Sequence, residues 1–550
     1  MPESKSKFLI PAVSTALVVV GGIAAYIYLK GGPAGKIADA SSSAKVVPDE
    51  ALMATYISTD DSTWAKLQQF GTPSAQQLVA KGLESFNQDL LTNSNISYEK
   101  DLKPWVGGVM IAMLPTNPTQ GVQDTSAKQQ PNILMVVGIK DKVSALNFAN
   151  KLKSQKDVSA KEIDYKGEKI IETATKGKPT YTTVLNEHLI LAPQKQAVEQ
   201  AIDTYKGEPS FATSSDIITK SVGLQNTVAQ IYVPNYFNMV QQLIATNPQA
   251  TQIPPQTLAQ IKQMKSMVAG VGIDDAGVRM KAVANLDPQL VKFQYQSTNA
   301  RVVSQLPSDT IALVSGKGIS NWWSALVEQS KNTPELNQTL LNAREQLKTA
   351  NIDLDKEVFG WMDGEFGLAA IPLNQGMLAN VGFGGALIFH TSDRTTAESI
   401  LTKLDAIAKN QQLSVSQRNI GGKDITEWQI PQQGALLSHG WLDKESVFVA
   451  FGGPIADTLT TPASKTLDNS DNFKAATASL QKPNSGYFYV DMEKAVSLYN
   501  RYSTAQNQSI SPEASAILSS IRGLGVTVNS PNKSTSEVEM LLALKPKTAQ

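Results

Sequence analysis

The chain repeats itself at a nearly constant offset, so any fold proposed for it must serve twice. VPDEALMATYISTDDSTWAKL at 47–67 aligns with LPSDTIALVSGKGISNWWSAL at 306–326, placing Trp64 against Trp323. LKPWVGG at 102–108 aligns with VFGWMDG at 358–364, placing Trp105 against Trp361. ILMVVGIKDKVSALNFANKL (133–152) aligns with GALIFHTSDRTTAESILTKL (385–404), and YKGEKIIE (165–172) with IGGKDITE (420–427). IYVPNYFNMV (231–240), VAGVGI (268–273) and ANLDP (284–288) find partners at 488–497, 521–526 and 542–546. Seven segments in one order, with the offset held between 252 and 259 residues, define copy 1 at 46–288 and copy 2 at 305–546. A connector, 289–304, joins them and a short tail, 547–550, follows. The length suits two large domains.

Within a copy the pattern is mixed. VMIAML (109–114), ILMVVGI (133–139), KIIET (169–173), YTTVL (181–185) and HLILA (188–192) are short, apolar and largely β-branched, which predicts strands. Asn186-Glu187 predicts a hairpin turn, with a matching strand–turn–strand at 441–451 around Asp443-Lys444. VSALNFANKL predicts a helix with Val143, Leu146, Ala149 and Leu152 on its apolar face, and TTAESILTKL one with Ala397, Ile400 and Leu404. Strands followed by a helix and then hairpins predict an α+β fold, a mixed or antiparallel sheet with helices on one side, built twice in tandem. Two such copies packed face to face would leave a groove for a protein or lipid partner. Polar, Pro-rich stretches at 115–132 and 244–259, and their counterparts at 372–385 and 501–516, predict surface loops.

Residues 8–29 carry no charge, and as a helix they would extend about 33 Å, enough to cross a bilayer. This predicts an uncleaved signal anchor, because the apolar run is longer than that of a cleaved signal peptide. Residues 1–7 then form a cytoplasmic tail and 30–45, rich in Gly, Ser and Ala, a flexible tether to a body outside the cytoplasm. Lys5 and Lys7 are nearly balanced by Lys30, Lys36 and Lys45, so loop charge sets the orientation only weakly.

Several function classes are disfavoured. Lys+Arg and Asp+Glu stand at 49 each, which leaves no basic field for nucleic acid. With no cysteine there are no disulfides, thiolate metal sites or thiol chemistry. His188, His390 and His439 share no metal-ligand spacing, and no cofactor fingerprint is present. Asp363 and Glu365 in WMDGEFG (361–367) would share one face of a strand and are the candidate catalytic carboxylates, although Asp363-Gly364 also reads as a hairpin turn. Asp471 in DNSDN (468–472) reads as a helix N-cap. Trp64, Trp105, Trp323 and Trp361 are either ligand-stacking aromatics or core anchors.

The anchor, the small-residue tether and the paired openings VPDEALMATYIS and LPSDTIALVSG resemble a family of cyanobacterial single-pass membrane proteins carrying a duplicated domain of unknown function. The resemblance implies a periplasmic or thylakoid-lumenal body and assigns no catalytic residue. The expectation is therefore a non-catalytic binding or scaffold protein of the cell envelope or thylakoid membrane, inserted in the inner or thylakoid bilayer through 8–29. The alternative is an envelope hydrolase working through a carboxylate site.

Overall fold

The protein is represented by a computed structural model, which describes residues 39–77, 98–115, 132–153, 160–175, 178–214, 222–224, 226–246, 255–291, 293–461, 464–505 and 510–547. The predicted anchor at 8–29 lies outside these residues. Among the described residues no helix is long and apolar enough to cross a membrane. The chain forms two compact units. The first comprises the described parts of Met1–Gln68, Gln76–Asp274 and Ala282–Asn285; the second comprises those of Gln69–Ala75, Asp275–Lys281 and Leu286–Gln550.

The first unit contains β1 (Met53–Ile57), β2 (Val106–Leu114), β3 (Asn132–Ile139), β4 (Ala160–Tyr165), β5 (Glu168–Thr175), β6 (Lys178–Leu185), β7 (His188–Ala192), β8 (Thr227–Val233) and β9 (Met264–Asp274). Their ladders are antiparallel and give the order β9-β8-β1-β2-β3-β7-β6-β5-β4. The turn expected at Asn186-Glu187 is there: Leu185 pairs with His188, and Asn186 takes φ 54°, the left-handed conformation such a tight turn needs. The helices that matter most are α1 (Lys142–Lys153), α2 (Lys195–Tyr205) and α3 (Tyr236–Thr246).

Strand β10 (Gly277–Leu286) begins among residues of the second unit. That unit continues with β11 (Ala312–Lys317), β12 (Glu365–Pro372), β13 (Phe383–His390), β14 (Ser414–Ile420), β15 (Lys423–Ile430), β16 (Gly434–Trp441), β17 (Ser446–Phe451), β18 (Tyr487–Asp491), β19 (Ile521–Asn532) and β20 (Thr535–Leu544). Its ladders, again antiparallel, run β20-β19-β18-β11-β12-β13-β17-β16-β15-β14. Its helices include α4 (Arg301–Ser304), α5 (Ile319–Ser330), α6 (Pro334–Thr349), α7 (Arg394–Asn410) and α8 (Met492–Ala505). Helices with antiparallel sheet make the fold α+β, as the strand and helix patterns predict.

The helices cover both faces of the sheet rather than one. The reason is in the strands: β3 and β7 are apolar at successive positions, and alternation sends the side chains to opposite faces. Leu134, Val136 and Ile190 enter one core with Ala197, Val198, Ala201 and Ile202 of α2. Met135, Val137, Leu189 and Leu191 enter another with Ala145 and Phe148 of α1. The buried face of α1 is therefore Ala145, Phe148 and Ala149, while Val143 is exposed, so the predicted stripe is rotated around the helix. In the second unit Ala386, Ile388 and Phe448 face one core, and Phe389 and Val447 face another with Ala397, Ile400 and Leu401 of α7.

Candidate functional site

The matched tryptophans divide into anchors and an exposed ring. Trp105 follows a π-helical turn, Tyr98–Leu102, and donates its indole N–H to the Asp101 carbonyl at 2.7 Å. Trp361 follows the turn Leu354–Phe359 and donates to the Glu357 carbonyl at 3.0 Å. Both are buried, against Phe148 and Phe389 respectively. Trp323 is buried as well, stacked on Phe359 and donating to Asp355 Oδ1 at 2.8 Å, and Asp355 is held in turn by a two-pronged contact from Arg344 of α6. Trp64 is the exception at 42% exposed, with its N–H on the Ser58 carbonyl at 2.8 Å.

Asp363 and Glu365 are not brought together on one strand face. Glu365 opens β12, but Asp363 precedes the strand, and no strand leads into Asp363-Gly364, so it is not a hairpin turn. Asp363 accepts from the Ser392 backbone N–H at 3.1 Å and from its hydroxyl at 2.5 Å. Glu365 is buried, and its two oxygens accept from the backbone N–H groups of Asn299 (2.6 Å) and Arg301 (2.7 Å). It serves as a cap for α4, supplied from a distant strand. The N-cap expected at Asp471 falls on Ser470 instead.

The histidines are likewise embedded. His439 Nε2 and the Trp428 indole N–H both meet Asp405 Oδ1, at 2.8 and 2.6 Å. His390 Nε2 lies 2.8 Å from Gln305 Oε1, and burial lowers its pKa. His188, opening β7, is buried with no hydrogen-bond partner for Nε2, and burial lowers its pKa to about 4. Among the described residues no group of three or more His, Asp or Glu is placed to hold a metal ion.

The concave site lies elsewhere, in the first unit. A cleft of about 700 Å³ opens between the turn before β1 and the start of α3. Asp49, Glu50, Ala51 and Leu52 form one wall; Asn235, Asn238, Gln241 and Gln242 form the other, with Pro115 and Pro234 at its edges. The turn is closed by the Ala51 N–H on the Pro48 carbonyl (3.2 Å), and Pro48 bridges to Ser210. Asn235 caps α3 by accepting from the Asn238 N–H at 3.0 Å. Glu50 accepts from Gln200 Nε2 at 2.8 Å, and its pKa is raised, first by burial and then by neighbouring Asp49 and Glu208. Two carboxylates and four side-chain amides line the cleft and supply acceptors and donors for hydrogen bonds.

Reading by motif passed over this cleft, although Asp49–Leu52, Pro234, Asn235 and Asn238 fall in the matched segments 47–67 and 231–240. The usable signal is where the matched segments differ: Asp49 stands against Ser308, and Asn238 against Ala495.

A family model described as "Protein of unknown function (DUF3352)" matches residues 12–544. The chain belongs to this family. Membership in DUF3352 carries a common sequence pattern across nearly the whole chain and no activity. No curated protein matches the chain. Among solved structures, crystal form IV of TP0453 aligns at 9% identity over 44% of this chain and 79% of that one, with a TM-score of 0.25. Crystal form III of TP0453 aligns at 10% identity with the same coverage and a TM-score of 0.23. Similarity at that level carries no inference for this member of DUF3352.

Proposed function

We propose that the protein is a non-catalytic binding or scaffold protein, anchored in the inner or thylakoid membrane through 8–29 and exposing two tandem copies of one binding unit to the periplasm or lumen. The observation that carries the non-catalytic reading is Glu365. This carboxylate, the better placed of the two catalytic candidates, has both oxygens engaged by backbone N–H groups. The duplication is supported by the strand orders, since β1–β9 and β11–β19 pair in the same sequence. The cleft at Asp49 and Glu50 supplies a binding surface in the first copy. The positions of Asp363 and Glu365 give the hydrolase alternative no support.

The test is crosslinking in intact cells that express the full chain with a C-terminal tag, followed by carbonate extraction, mild detergent and mass spectrometry of everything retained. The expected result is carbonate-resistant membrane retention that needs residues 8–29, with a stoichiometric partner. A carbonate-soluble protein that purifies alone would overturn the proposal.

A further inference from the structure

The second unit's sheet is apolar on both faces, and one of them is largely uncovered. Leu313, Ala369, Ile388, Tyr489 and Leu541 point into the unit's main core. The residues between them point the other way. On that outer face α7 packs over Phe389 and Val447 at one end. Val314, Leu368, Phe383, Phe451, Phe488 and Val538 remain 38–48% exposed.

The ladders place these six on a single surface. Phe488 pairs with Val314, and Val314 with Leu368. Leu368 pairs with Leu387, and Pro372, four residues on, pairs with Phe383. Phe451 lies opposite Gly385, midway between Phe383 and Leu387. On the other side Phe488 pairs with Val526, and Val528, two residues on, pairs with Val538. Residues two or four apart on a strand share a face, so the surface runs unbroken from β20 to β17.

The polarity of these strands is inverted. Asp491, Thr527 and Glu539 point inward and are buried, while their neighbours Val490, Val526 and Val538 point outward. An antiparallel sheet with one face in water puts its polar residues on that face. Apolar residues on both faces are the pattern of a sheet covered on both sides. The six exposed side chains present roughly 450 Å², already the size of the largest apolar patch on a typical monomer.

We propose that this face packs on the same face of a second copy of the chain, about a two-fold axis, as the two sheets of a β-sandwich pack on each other. Three features select a second copy. The six side chains carry no charge, so identical faces meet without like-charge repulsion. Two such faces bury on the order of 900 Å² from these six alone, and the half-buried side chains between them carry the contact toward the about 1,200–2,000 Å² of a stable interface. The contact also closes on itself and leaves neither copy of the patch exposed. The inference goes beyond the binding function proposed above and depends neither on the anchor at 8–29 nor on the cleft at Asp49 and Glu50.

The test uses the full chain, which has no cysteine, so that a single introduced thiol reports one position. Val314→Cys, Leu368→Cys, Phe451→Cys, Phe488→Cys and Val538→Cys sample the face, and Lys444→Cys, in the exposed turn before β17, is the control. Intact cells expressing each variant are treated with a short bismaleimide and read on a denaturing gel. Packed sheets lie about 10 Å apart, so thiols near the two-fold axis are within its reach. The expected result is a species of twice the chain's mass at one or more of the five face positions and none at Lys444→Cys. Leu368→Asp or Phe488→Asp, added to the variant that crosslinks best, should weaken association about tenfold or more, a change of about 1.4 kcal/mol or more. Light scattering on the detergent-solubilised parent should give two polypeptides per particle. If both aspartate variants lack the parent melting transition, the crosslinking pattern and the particle mass decide. No crosslink at any face position, equal crosslinking at Lys444→Cys, or one polypeptide per particle would overturn the proposal. A bimane label at Val314→Cys that is quenched by nitroxide lipids, with no crosslink on the face, would also overturn it and assign the face to the bilayer. Self-association can fail while crosslinking still captures another partner, so this inference and the binding function fail separately.

Discussion

Arg279 and Glu539 are 260 positions apart in sequence and meet at 2.5 Å between Nη1 and Oε1, inside the second unit. Both are buried. Arg279 also donates to the Ser479 carbonyl and hydroxyl, and Glu539 accepts from the Gln481 N–H at 2.8 Å. Removing one partner leaves the other charge buried without its counter-ion. Arg279→Met should therefore lower the unfolding free energy of the second unit by about 3–5 kcal/mol, and the double variant Arg279→Met/Glu539→Leu should recover much of that loss. Denaturant melts of the four proteins in the cycle check this, and additive losses would refute it.

His188 links the first unit to pH. Its folded pKa is about 4 against an ordinary 6.5, because burial disfavours the imidazolium; a distant Asp39 charge opposes this only in part. Between those values the unfolded chain binds the extra proton, so the contribution is fully present above about pH 6.5 and is lost as the pH falls toward 4. The full difference corresponds to about 3 kcal/mol. Between pH 7 and 4.5 hydrogen exchange at β7 should slow by less than the intrinsic base-catalysed rate does, and His188→Gln should remove that difference.

Glu365 makes a prediction opposite to that for a catalytic acid. Glu365→Ala leaves the Asn299 and Arg301 N–H groups without their acceptor and should cost about 2–3 kcal/mol of stability. Glu365→Gln, which keeps one acceptor oxygen, should cost less. Thermal melts rank the two, and equal melting temperatures for both variants and the parent would contradict the capping role.

The tryptophans should separate by burial. Trp105→Ala and Trp361→Ala each remove a packed ring and a donor to the preceding turn, and each should cost about 3–5 kcal/mol. Trp64→Phe, at an exposed site, should stay within about 0.5 kcal/mol. Chemical denaturation of the three variants tests the order.

Much of the sheet was legible because short runs of apolar and β-branched residues favour strands locally. β3, β6 and β7 follow from short apolar runs, and the β6–β7 turn follows from Asn186, which tolerates positive φ. The importance of Trp105 and Trp361 was legible from their matched spacing, and core anchoring was one of the two roles it offered; the partners that bury them, Phe148 and Phe389, arrive from other elements. The face of α1 was misjudged for the same reason: Ala145 and Phe148 are selected by what β3 and β7 present, not by the helix's own period. Glu365 looked catalytic because sequence cannot show that two backbone N–H groups some 65 positions away already occupy it.

By itself the sequence determined the offset between its matched segments, strands β2, β3, β5, β6 and β7, helices α1 and α7, and the membrane-length apolar run at 8–29, all of which depend on residues close together along the chain. Tertiary structure alone decided the Arg279–Glu539 pair, the cap that Glu365 makes and the cleft at Asp49 and Glu50. Each of these needs groups from distant segments to converge to within a few ångströms, and that convergence is set by how the strands order themselves in the sheet, which no local pattern encodes.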